Sequence, residues 1–163
     1  AAADSKAEAG DEDFSYDSLW AAPKVSKGWH TRNARFWRSQ SSDIRGVTGG
    51  GVSRNDLEFS NTVLEDLVKE RGGAKFGNVL DCGAGIGRVA DAVLRKHADH
   101  IDLVEFVKKL LDKAREKLPK EGKGGCTFNF AVSSMQKFAI EKRHYDLIWC
   151  QWMLMYMTDS DAV

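Results

Sequence analysis

The chain has 163 residues, 42% of them hydrophobic, with 24 basic side chains against 24 acidic ones. That length supports one domain with a real core, and the balance excludes a charge-disordered chain or one that coats nucleic acid. No apolar stretch approaches the roughly 20 residues that span a bilayer, and the first residues lack the basic-then-apolar order of a signal peptide.

Cys82, Cys126 and Cys150 stand 44 and 24 apart. An odd number without a C-x-x-C pair reads as reduced thiols in a cytoplasmic or nuclear setting. The chain opens on Ala1 rather than Met, which reads as a fragment or a processed form.

Residues 1–19 are Ala-rich and acidic, with Asp4, Glu8, Asp11, Glu12, Asp13 and Asp17 against Lys6, and are expected to be disordered. Residues 20–54 form a strap. Here Trp20, Trp29, Phe36 and Trp37 lie among Lys24, Lys27, Arg32, Arg35 and Arg38, as on a surface helix whose aromatic side chains pack on the domain. A nucleic-acid strip would need a compact basic run or a stacking module, and neither is present. Residues 46–51, Gly-Val-Thr-Gly-Gly-Gly, read as a flexible loop. The remaining stretch, 55–163, carries the core.

Asn55 or Asp56 is expected to cap a helix bearing Leu57, Val63, Leu64, Leu67 and Val68, stopped by Gly72 and Gly73. Alternation then predicts a strand over 76–82, a helix over 86–97, a strand over 101–105 and a helix over 107–118. Further strands are expected over 126–132 and 145–152. Strands alternating with helices predict a parallel sheet covered on both faces. The last strand, Asp146 to Trp152, is apolar almost throughout, as for a strand buried on both faces. No later strand follows before Val163 to cover it, so the sheet is expected to be truncated there.

The run Val-Leu-Asp-Cys-Gly-Ala-Gly-Ile-Gly-Arg at 79–88 is the most informative feature. Glycine at 83, 85 and 87 allows a sharp turn close to a ligand, delivered to the positive end of a helix. The dinucleotide fingerprint G-x-G-x-x-G or A needs a third small residue. Counted from Gly83 that slot is Arg88, too large for the close helix–strand contact, which disfavours a nicotinamide dehydrogenase. Glu105 closes the second strand 24 positions after Asp81, where an acidic group can accept from ribose hydroxyls. Gln136 and Gln151 fall at carboxyl ends of strands, the edge along which open α/β sheets bind ligands. Asp81 orients the loop or meets an amino group of the cofactor, and Arg88 suits a carboxylate. The histidines show no metal spacing.

The pattern Asp-x-Gly-x-Gly-x-Gly resembles the first motif of S-adenosylmethionine-dependent methyltransferases. Residues 80–88 and 145–152, followed by a Leu/Met-rich stretch and Thr158-Asp159, are together similar to the protein α-N-terminal methyltransferases. Phe36-Trp37 and the loop Gly46-Val47-Thr48-Gly49-Gly50 resemble that family's aromatic pair and glycine loop over the peptide channel. The resemblance implies a Rossmann-like class I methyltransferase sheet with helices on both faces, truncated after the fourth strand. It implies methylation of the free α-amine of proteins beginning Xaa-Pro-Lys/Arg, with S-adenosylmethionine as cofactor and protein N-termini as partners. No nucleic-acid or membrane partner is expected, and the chain is expected to be a monomer.

Carried over by position, Asp81, Gly83, Gly85, Arg88, Glu105, Phe106, Met135, Gln136 and Gln151 would contact the cofactor, with Met135 on the adenine. Phe36, Trp37, Gly49 and Trp152 would line the peptide channel, and Tyr156 would meet the reacting amine. The chain departs from the family pattern in three places. Tyr156 stands where the family usually has a histidine, and Thr48 replaces a usual leucine in a loop one residue shorter. The later Asp and Asn residues that hold the substrate N-terminus lie beyond Val163. Two other readings remain open: a methyltransferase acting on another substrate, and a cofactor-binding module without catalysis.

Overall fold

The computed structural model describes residues 23–119, 125–140, 144–158 and 161. The acidic arm expected at 1–19 lies outside them. Helices α1 (Pro23–Ser39), α2 (Ile44–Thr48) and α3 (Ser53–Glu70) come first, then strand β1 (Phe76–Cys82). After the glycine turn, a π-helical segment, Ala90–Leu94, runs into a single turn, α4 (Arg95–His97). Strand β2 (Ala98–Glu105), helix α5 (Lys108–Lys117), and strands β3 (Thr127–Val132) and β4 (Leu147–Cys150) follow.

The four strands form one parallel sheet in the order β3-β2-β1-β4. Side chains alternate across it, as the pleat requires. One face bears Val79, Ile101 and Leu103 and packs against Leu64 of α3, Val93 and Leu94 of the π-helical segment, and Leu111 and Ala114 of α5. The other bears Leu80, Cys82 and Val104, which meet Met135, Phe138, Tyr145 and Met153. A third cluster, Ile86, Val107 and Leu110, receives Trp37 of α1 and Val47 of α2, and so anchors the N-terminal helices beside the glycine turn.

Several boundaries differ from the expectation, each for a local reason. Helix α3 begins at Ser53, after Val52, with no side-chain cap. Neither Asn55 nor Asp56 is the cap, because the helix starts before them and Asp56 lies in its first turn. Residues 46–51 are not all loop. Asp43 accepts from the Gly46 N–H at 2.7 Å, which caps α2, and left-handed Gly49 ends it. The helix expected over 86–97 is delayed by the glycine turn and widened to π geometry over five residues. Strand β2 starts three residues earlier than expected, since Phe76 pairs with Ala98 and His100 pairs with Thr127. Strand β4 is shorter, because Gln151 and Trp152 leave the ladder. Trp152 has φ of 59°, outside the range of a strand.

Candidate cofactor and substrate site

The site begins where β1 stops. Gly83, Gly85 and Gly87 all take positive φ, at 71°, 56° and 70°, the left-handed region that favours glycine. The Gly83 and Ala84 N–H groups donate to the Val104 carbonyl at 2.9 and 3.0 Å, tying the turn to the end of β2. The Glu105 carboxylate completes the stitch, accepting from the Gly85 N–H at 3.1 Å and the Val107 N–H at 2.8 Å. Burial raises the pKa of Glu105, while bonds from the Val107, Gly85 and Phe106 N–H groups oppose the rise. A carboxylate has about four lone-pair sites, so these backbone bonds still leave room for a ligand hydroxyl.

Asp81 sits one strand over and is 3% exposed. Its Oδ2 is buried without a hydrogen-bond partner, and burial, then Cys150 and Glu105, push its pKa up to about 7. A buried carboxylate oxygen without a donor is costly. An ammonium group brought into the cavity would relieve that cost. This orphaned oxygen, together with the glycine cradle and the spare capacity of Glu105, fits a nucleoside cofactor that carries a free amino-acid group. Asp81 and Glu105 would then hold its amino group and ribose.

Arg88 is buried, with its Nη2 2.6 Å from Asp56 Oδ2 and its Nη1 3.4 Å from the backbone oxygen and Oγ of Ser53. The same Asp56 accepts through Oδ1 from Gln151 Nε2 at 2.6 Å and from Trp152 Nε1 at 3.0 Å. Gln151 Oε1 in turn accepts from Trp149 Nε1 at 2.8 Å. In the sequence Asp56 reads only as a candidate cap. Its partners lie 32 to 96 residues away, and no local pattern announces them.

Helix α1 supplies the opposite wall. Trp37 packs edge-to-face on Tyr156, centroids 5.3 Å apart, and Phe36 packs edge-to-face on Trp37 at 5.2 Å. Trp29 Nε1 and Asn33 Nδ2 donate to the Tyr156 carbonyl at 3.0 and 3.4 Å. His30 Nε2 lies 3.1 Å from Asp161 Oδ2. These contacts hold residues 154–156 against α1. Burial raises the Tyr156 pKa, so the phenol stays protonated near neutrality.

Between these walls lies a cavity of about 730 Å³. Asp81, Gly83, Gly85, Arg88, Glu105, Phe106, Met135, Gln136 and Gln151 all line it, and so do Trp37, Trp152 and Tyr156. Phe36 and Gly49 do not: Phe36 is half exposed behind Trp37, and Gly49 ends α2. His30, Asn33 and Asp161 also line the cavity. Sequence reasoning misses them because the 23–39 helix face and the turn around 154–161 become neighbours only in the folded chain. Among the described residues, no three His, Cys, Asp or Glu side chains cluster in a way that could hold a metal ion.

A parallel sheet ordered β3-β2-β1-β4, a glycine turn after β1 and an acidic residue ending β2 define a Rossmann-like methyltransferase fold. The chain belongs to the AdoMet-dependent proline di-methyltransferase family, whose model matches residues 26–163. It is 32% identical over 139 residues to the N-terminal Xaa-Pro-Lys N-methyltransferase 1 of Xenopus tropicalis, covering 83% of this chain and 61% of that protein. It is 34% identical over 143 residues to the alpha N-terminal protein methyltransferase 1 of Arabidopsis thaliana, covering 83% and 52%. A solved SAM-dependent methyltransferase of Leishmania major is 34% identical with a TM-score of 0.70, covering 83% of this chain and 52% of that one. The chain thus spans a little over half the length of these relatives. At the level of fold alone, it is similar to the phosphoethanolamine N-methyltransferase 1 of Haemonchus contortus. That structure is 19% identical, with a TM-score of 0.59 and coverage of 85% and 28%.

Proposed function

We propose that this chain binds S-adenosylmethionine and methylates the free α-amine of protein N-termini of the Xaa-Pro-Lys/Arg type. The observation that carries the reading is the continuity of the cavity. Its carboxylate-lined end, at Asp81 and Glu105, runs into an aromatic end at Trp37, Trp152 and Tyr156. The names of the relatives point the same way. When bound, the cofactor supplies an electrophilic methyl group on a sulfonium.

The protein's own residues then have defined tasks. Asp81 and Glu105 hold the amino and ribose ends, Arg88 faces the carboxylate, and Met135 and Gln136 flank the base. Trp37 and Trp152 form an aromatic passage for the peptide end and favour the cationic methylated product through their ring faces. An α-amine has a pKa of about 7.7–8.0, so roughly a tenth to a sixth of it is already neutral at pH 7 without a strong base. Positioning is therefore the main contribution asked of the protein. Tyr156, kept protonated by burial, orients the amine by hydrogen bonding rather than taking its proton. Tyr156→Phe is expected to slow transfer about tenfold, the loss of one ordinary hydrogen bond worth roughly 1–1.5 kcal/mol. An unchanged rate would remove Tyr156 from the chemistry.

The setting proposed is the cytoplasm or nucleus, with the protein acting as a monomer. Cys82, Cys126 and Cys150 are free thiols. Among the described residues, no helix is long and apolar enough to cross a membrane. The test is methyl transfer to a Xaa-Pro-Lys peptide, read by mass spectrometry beside the same peptide acetylated at its N-terminus. The proposal expects modification of the free peptide alone. Labelling of both peptides, or of neither, contradicts it.

A further inference from the structure

We infer that Asp56, in the first turn of α3, is a positioning residue that couples the cofactor end of the cavity to its peptide end. The inference rests on the proposed function above. Asp56 does not itself line the cavity, yet three residues that do are held by its one carboxylate. Oδ2 lies 2.6 Å from Arg88 Nη2. Oδ1 accepts from Gln151 Nε2 at 2.6 Å and Trp152 Nε1 at 3.0 Å. Arg88 stands at the start of the helix behind the glycine turn, whereas Gln151 and Trp152 stand just past the end of β4. One carboxylate thus bridges the two ends of the cavity wall.

The arrangement has a cost that a purely structural role does not require. The Arg88 and Asp56 side chains are 10% and 15% exposed, and an ion pair this buried returns little net stability. Trp152 is held at φ of 59°, an unfavourable conformation for a bulky residue. What the carboxylate achieves is geometric. It fixes the guanidinium in the cavity wall, where Nη1 also meets Ser53 and the donors those two partners leave can receive a carboxylate, and it pins the indole on which the peptide end depends. Ser60 Oγ supports the same group, 3.0 Å from Gln151 Nε2. Asp56 therefore acts through Arg88 on the cofactor and through Trp152 on the peptide.

The test is calorimetric titration of S-adenosylhomocysteine into the chain and into Asp56→Ala, Arg88→Ala and the double variant. Asp56→Ala is expected to weaken binding at least tenfold. Because Asp56 acts through Arg88, the double variant is expected to bind within about threefold of Arg88→Ala alone, the non-additivity of coupled residues. Independent, multiplying losses would indicate a general structural effect and overturn the inference. So would wild-type affinity in Asp56→Ala. Asp56→Asn keeps a neutral acceptor for Trp152 and Gln151. It supplies the reading if the alanine variant does not fold: it should weaken binding while leaving tryptophan fluorescence as in the wild type. Full affinity in Asp56→Asn would overturn the inference. No binding by the wild-type chain would defeat the cofactor assignment and this inference with it. Binding by the wild type that both Asp56 variants retain would defeat this inference alone.

Discussion

Replacing Gly87 by alanine destabilises the chain by about 2–4 kcal/mol, lowering the melting temperature by on the order of 10 °C. Two costs add. At φ of 70° a Cβ pays about 1 kcal/mol against the following carbonyl. That Cβ would also stand 2.9 Å from the Ala114 Cβ and 3.3 Å from Leu118 Cδ1, closer than packed carbon atoms sit, and such overpacking costs about 1–3 kcal/mol. Gly87 is thus where the glycine turn is pressed against α5. Gly72 provides the internal control. It has the same φ of 70°, but nothing lies within 4 Å of where its Cβ would stand, so Gly72→Ala should show only the conformational part. Equal losses in the two variants would mean that helix contact at Gly87 is unimportant.

Asp81→Asn changes stability and binding in opposite directions. With its pKa raised from 3.8 to about 7 by burial, Asp81 holds its proton in the folded chain and loses it in the unfolded one across the interval between those values. The stability it contributes is complete below about pH 4 and is lost as pH rises to about 7, beyond which the curve flattens. An asparagine has no such dependence. Relative to the wild type, the variant should gain about 3 kcal/mol between pH 5 and pH 8, read from denaturant midpoints at each pH. It should also bind S-adenosylhomocysteine far more weakly, because the anion proposed to meet the ammonium is gone. A site that is destabilising when empty and favourable when filled is expected of a binding carboxylate. A flat difference between the two pH values would show that Asp81 is already ionised and satisfied.

Much of this is legible in the sequence because the relevant signals are local. Alternation and the glycine run locate β1, the turn and β2, and the acidic end of β2 follows from spacing alone. What escapes depends on distant partners. Asp56 has the composition of a cap, and only the fold reveals that its carboxylate faces Arg88 and Trp152. The start of α3 is hard to place because Val52 opens it with no side-chain cap to read. The early start of β2 is set by ladder partners in β1 and β3 rather than by its own composition, since Ala98 and Asp99 are poor strand formers. The end of β4 falls short of the apolar pattern because Gln151 and Trp152 continue that pattern while a positive φ interrupts the strand.

We propose that the glycine turn, Asp81 and Glu105 together form the site for S-adenosylmethionine. The most direct test is calorimetric titration of S-adenosylhomocysteine into the chain, with Asp81→Ala beside it and the circular dichroism of both recorded. Saturable binding on the order of micromolar, lost in a folded Asp81→Ala, is the result predicted. A folded wild-type chain that gives no binding heat would contradict it.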